Sequence, residues 1–152
     1  MKKYLLLIAF TFAFCSIAGG IRLPSSSFNM DELDDAMKKA KQKKYPIFFL
    51  YTDKDSSCPL CNNAGKAAIK ALRTSTVMVY VTGKDYSKLP EAMQAGFKKG
   101  KYIPKIGVMD VEAQNVLGVV LYEEIKTNGK DAFDELKKDI KSYRKEIKYT
   151  KF

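Results

Sequence analysis

"KKYPIFFLYTDKDSSCPLCNNAGKAAIKAL", residues 43–72, decides the fold. Its segment PIFFLYT, 46–52, is a continuous apolar run rich in strand formers. Such a run reads as a strand covered on both faces, as in parallel sheets. A short polar loop follows, and then Cys58, Pro59 and Cys61 stand at the start of a segment with helical patterning to about Arg73. TVMVYVT, 76–82, is a second buried strand. A strand, a helix and a strand in this space predict a right-handed βαβ unit.

Working outward, FNMDELDDAMKKAKQKK precedes the unit. Asn29 is placed to cap a helix, with Glu32 reaching back and Phe28 and Leu33 stapling the entry. Acids open this helix and lysines close it, which suits the macrodipole. Downstream, a helix is expected from near Pro90 to near Gly100. Pro104 then stands before KIGVMDV, and NVLGVVLYEE follows after a polar turn, so the two read as a hairpin. Glu123 and Glu124 read as surface residues at its end, pointing to opposite faces. Asn128-Gly129 breaks the chain. Phe133, Leu136, Ile140, Tyr143 and Ile147 then line one face of a last helix. The order α, β-α-β, α, β-β-α predicts an α/β domain with a mixed sheet flanked by helices.

The chain has 152 residues, enough for one domain. Its N-terminus has Lys2 and Lys3, an apolar run from Tyr4 to Phe14, and then small residues. These are the parts of a secretory signal, with cleavage expected after Ala18. The run is shorter than the ~20 residues a membrane span requires. Lipid attachment at Cys15 is the alternative, and the bulky Phe14 before it argues against that processing. The expected organisation is a signal peptide over 1–18, a mobile leader over 19–28 and a domain over 29–152. Loss of Lys2 and Lys3 would leave 25 basic residues against 17 acids, a net charge of +8. In an exported protein that charge reads mainly as a solvated lysine surface, with no nucleic-acid partner expected. An anionic membrane or an acidic partner is the functional alternative.

The sequence has no histidine. That excludes Ser–His–Asp and Cys–His catalysis and imidazole metal sites. Of three cysteines, Cys58 and Cys61 would remain after export as an adjacent pair in an oxidising compartment. Two cysteines fall short of the four ligands of structural zinc, so no metal is expected. A structural crosslink across so short a ring would stabilise little. Dithiol–disulfide exchange fits better. A cysteine at a helix N-terminus faces unpaired backbone N–H groups and the positive dipole end, which stabilise a thiolate. Cys58 would therefore attack, and Cys61, one turn inside, would resolve.

These features together resemble the thioredoxin-like superfamily. The residues that carry the resemblance are KKYPIFFLYTDKDSSCPLC and KYIPKIGVMDVEAQNVL, and it extends over about residues 30–148. It implies a thioredoxin fold with an extra N-terminal helix and an exported thiol–disulfide oxidoreductase, in a bacterial periplasm. It also implies a cis proline at Pro104, close to the two cysteines. Ile103 and Pro104 would then bind substrate, the Ile103 backbone pairing with an extended segment. No cofactor is implied beyond the two sulfurs. The partners would be protein thiols or disulfides, including a membrane or periplasmic redox partner, with the chain acting as a monomer. Two departures stand out: Ser57 occupies the place of the usual aromatic residue, and Leu50 falls near the place of a buried acid. A non-catalytic binding module using the cis-proline groove is the competing expectation.

Overall fold

A computed structural model describes residues 20–152. The expected signal peptide and Cys15 lie outside the described residues. The strands are β1 (Phe28–Asn29), β2 (Ile47–Tyr51), β3 (Val77–Val81), β4 (Lys105–Met109) and β5 (Val116–Leu121). The helices are α1 (Leu33–Lys43), α2 (Pro59–Leu72), α3 (Glu91–Phe97), α4 (Tyr122–Asn128) and α5 (Asp134–Glu146). The five strands form one mixed sheet in the order β1-β3-β2-β4-β5. β3 runs parallel to both β1 and β2, while β4 is antiparallel to β2 and to β5.

The period of two along β2 sorts its side chains into two cores. Phe48 and Leu50 join Ala64, Ala68 and Leu72 of α2 and Leu136 and Ile140 of α5. Ile47 and Phe49 join Ala36 and Ala40 of α1 and Met93 and Phe97 of α3. Both faces of the strand are thus covered, which is why its sequence is apolar without alternation. At Gly107, opposite Phe49, a Cβ atom would collide with the Met93 thioether and press on the Phe97 ring, so a larger residue there would force these α3 side chains to move.

The start of α1 follows its sequence signals. The Asn29 side chain accepts from the Asp31 N–H at 2.9 Å, and Glu32 accepts from the Asn29 N–H at 3.0 Å. The first turn is tightened into a 3₁₀ turn over Met30–Glu32.

Two expectations are corrected. A mobile leader is expected over 19–28, yet its described residues, 20–28, are tied to the domain. The Ile21 N–H donates to the Lys54 carbonyl at 2.8 Å, and the Ile21 side chain is buried against Gly65. The apolar Ile21 gains more from the core than from water, and Phe28–Asn29 adds a short edge strand. The second correction concerns Glu123 and Glu124, which lie in the first turn of α4 rather than on a strand. The Glu124 carboxylate accepts from the Leu121 N–H at 2.7 Å. It thereby satisfies one of the orphan donors at a helix start, and acids there suit the dipole.

Candidate functional site

The chain leaves β2 at Tyr51, turns through Thr52–Ser57 and enters α2 at Pro59. Proline fits the first helical position because its missing N–H has no partner there. Cys58 is the residue that caps this helix, and its Sγ accepts from the Cys61 N–H at 3.3 Å. The two cysteines are unbridged and half-buried. One helical turn sets them on the same face.

Their chemistry diverges. The Cys61 thiol, and then its backbone N–H, donate toward Cys58 and hold the Cys58 thiol below its usual range. Burial pushes the Cys61 thiol up to about 11, and the neighbouring Cys58 adds to the rise. One sulfur is therefore the readier thiolate, and the other keeps its proton. Among the described residues no positively charged side chain contributes to this split, so local hydrogen bonding and burial produce it.

The loop before the pair is fixed by Ser56 and Asn62, neither of which belongs to the cysteine motif. Ser56 Oγ accepts from the Cys58 N–H at 3.1 Å. The buried Asn62 donates from Nδ2 to the Ser56 carbonyl at 2.8 Å. A serine two residues ahead of Cys58 is a local turn signal that could have been found. Asn62 gives no comparable signal, because its partner lies six residues back.

Ile103 and Pro104 precede β4, and the peptide bond between them is cis. Lys105 pairs with Tyr51, the last residue of β2. Ile103 and Pro104 therefore stand at the sheet end from which the cysteine loop departs. Pro104 is buried. Ile103 is half-buried and lines a cavity of about 320 Å³ with Tyr51, Thr52 and Tyr80. The Thr52 hydroxyl is buried and has no hydrogen-bond partner among the described residues.

Glu123 connects α4 to the segment before Ile103. Its Oε1 accepts from the backbone N–H groups of Lys101 and Tyr102, at 3.0 and 3.4 Å. Its own backbone N–H, followed by those two, holds the carboxyl below the usual range, with the buried Lys105 adding to the effect. Lys105 Nζ in turn donates to the Phe97 carbonyl at 2.7 Å. Next to Glu123, the Tyr122 hydroxyl is pushed up by burial and then by the nearby Cys61 and Cys58. Tyr122 meets Tyr102 edge to face, with ring centroids 6.1 Å apart. A tyrosine hydroxyl on α4 thus lies within electrostatic range of the cysteines, although Ser57 stands where an aromatic residue was expected in sequence.

Glu123→Ala should free the Lys101–Tyr102 segment. Hydrogen bonds to a charged acceptor are worth roughly 1.5–3 kcal/mol, so a loss of that order is expected near neutral pH. The folded-state pKa of Glu123 is depressed, so its contribution is present above the unfolded value near ~4.3 and is lost as pH falls through the folded one. The stability difference between wild type and variant should therefore shrink on acidification. Urea unfolding across pH checks this, and a difference that grows in acid would contradict it.

No protein-family model matches this chain, and no curated protein matches it either. Among the described residues, no helix is long and apolar enough to cross a membrane.

Proposed function

We propose that this is an exported thiol–disulfide oxidoreductase of the thioredoxin fold, in which Cys58 attacks and Cys61 resolves. The observation that carries the reading is the unequal pair at the mouth of α2: a favoured thiolate at Cys58 and a thiol held protonated at Cys61. The parallel β2-α2-β3 unit, the antiparallel β4–β5 hairpin and the cis proline ahead of β4 support the fold. The basic, apolar and small-residue N-terminus supports export to an oxidising compartment such as the bacterial periplasm.

The Cys58 thiolate attacks one sulfur of a protein disulfide, a new S–S bond forms, and the partner's other sulfur leaves as a thiolate and takes up a proton. Cys61 then loses its proton and attacks Cys58 Sγ. The partner's second sulfur leaves, and Cys58 and Cys61 are joined as a disulfide. Two electrons pass to the partner, and the reverse sequence oxidises a partner dithiol.

The partner would lie across Leu60, which is 62% exposed between the two cysteines. Beside it a groove of about 310 Å³ is lined by Ala64, Ala67, Tyr122 and Ile125. Its apolar floor suits the side chains that flank a partner cysteine. Ile103 and Pro104 would hold the other side of the segment, with the Ile103 backbone pairing in an extended manner.

Alkylation of the reduced protein tests the assignment. Iodoacetamide should modify Cys58 first, with a rate that rises through a pH below ~8.5, the usual thiol value. Cys61 should react only as the pH approaches about 11. Peptide mass analysis after short exposures separates the two. Equal labelling at every pH would refute the reading.

A further inference from the structure

A cleft of about 650 Å³ lies between the C-terminal end of α1, Ser75 and the outer face of α5. Lys43, Lys44, Lys141, Arg144, Lys145 and Lys148 line it. Among the described residues, none of these six has a carboxylate within salt-bridge distance. A second cleft of about 600 Å³ shares Lys44 and ends on Lys151 and Phe152. Two aromatic residues stand out beside these cations: Tyr149 is 82% exposed and Phe152 is 55% exposed. Six like charges around one concavity repel one another, and an anionic occupant relieves that repulsion.

The position of the clefts matters. Lys44 precedes β2 and Ser75 precedes β3, whereas Cys58 follows the far end of β2. A five-residue strand at ~3.3 Å per residue separates the two ends by roughly 17 Å. A partner seated on the basic end therefore leaves the cysteines open.

We propose that this basic end is a docking face for an anionic phospholipid bilayer. Lysine ammonium groups in the clefts receive headgroup phosphates, and the Tyr149 and Phe152 rings enter the interfacial layer. Lysines provide point charges for phosphates rather than a planar platform for bases. The guanidinium in the cleft is already stacked, with Arg144 lying 4.1 Å from the centre of the Tyr45 ring. Exposed aromatic rings beside a lysine cluster suit the membrane–water interface.

Full-chain protein is mixed with vesicles of phosphatidylcholine alone, or of phosphatidylcholine and phosphatidylglycerol at low salt, and sedimented. Preferential binding to the anionic vesicles is expected, and it should weaken as salt screens the charges. The triple variant K141E/K145E/K148E should lose at least roughly a hundredfold in that partition, because each basic group near an anionic surface is worth about a factor of five. The variant K84E/K98E/K126E has the same net charge and is altered at the cysteine end. It should stay within a few-fold of wild type. The apolar N-terminus is common to both variants, so their difference reports the cleft. Should the triple variant fail to fold, K145Q/K148Q should still lose roughly thirtyfold. Equal losses in the two triple variants, or equal binding to neutral vesicles, would overturn the proposal. Displacement by millimolar inorganic phosphate would make the cleft a free-anion site and overturn it too. So would tighter binding to an oligothymidine strand than to the anionic vesicles.

Discussion

Replacing Cys61 by serine should yield a protein that captures disulfide-bonded partners through Cys58 and does not release them. In wild type, the second step is an attack by a sulfur one helical turn away. Such intramolecular steps have effective molarities that reach about 10⁵ M or more. Serine cannot make that attack, so release should fall to the slow rate of external thiols, a drop of several orders of magnitude. Replacing Cys58 by serine should remove capture instead, because burial raises the Cys61 thiol and keeps it protonated. Non-reducing electrophoresis with mass analysis of the trapped adducts distinguishes the two variants. Equal capture by both would undo the division of labour. Wild-type biological activity in a variant lacking both sulfurs would favour a module that only binds.

The second large effect is structural. Phe49 sits at the centre of β2, fully buried among residues of α1, α3 and β3. Phe49→Ala should cost about 3–5 kcal/mol, the range for emptying a buried phenylalanine site. Single domains hold only about 5–15 kcal/mol in total. A large fall in the urea midpoint is therefore expected, and protein that is partly unfolded in buffer is consistent with it. An unchanged midpoint would mean that this strand is not the core of the sheet.

Much of this fold is legible in the sequence because it depends on local patterns. The run over 46–52 is apolar at every position, and the structure covers that strand on both faces. Asn29 and Glu32 announce a capped helix, and both hydrogen bonds form. The spacing of Phe133, Leu136 and Ile140 predicts one buried face, and all three are buried. What escapes the sequence depends on partners distant along the chain. Phe28–Asn29 is a two-residue strand, too short for any periodicity, and it exists because β3 offers an open edge. Ile21 resembles any apolar residue of a leader until Lys54 and Gly65 are brought beneath it. The residue before α4 is Leu121, which has no polar side chain to cap a helix, so the segment reads as strand.

The candidate site divides in the same way. The spacing of Cys58, Pro59 and Cys61 places both sulfurs at a helix start, and the structure brings them together there. The role of Glu123 is invisible in sequence, because the backbone it holds lies 22 and 21 residues earlier. Tyr122 comes within electrostatic range of the cysteines from the short helix that follows β5. An aromatic residue at that position carries no motif.

If Cys58 and Cys61 exchange electrons with partners, they form a reversible two-electron couple. The most direct test is equilibration of the protein in glutathione buffers of graded potential, with acid quenching and mass analysis of the dithiol fraction. The predicted result is a single two-electron transition in the range from about −270 to −120 mV, with the protein folded on both sides of it. A pair that stays bridged below about −300 mV, or never bridges in oxidising buffer, would contradict the claim.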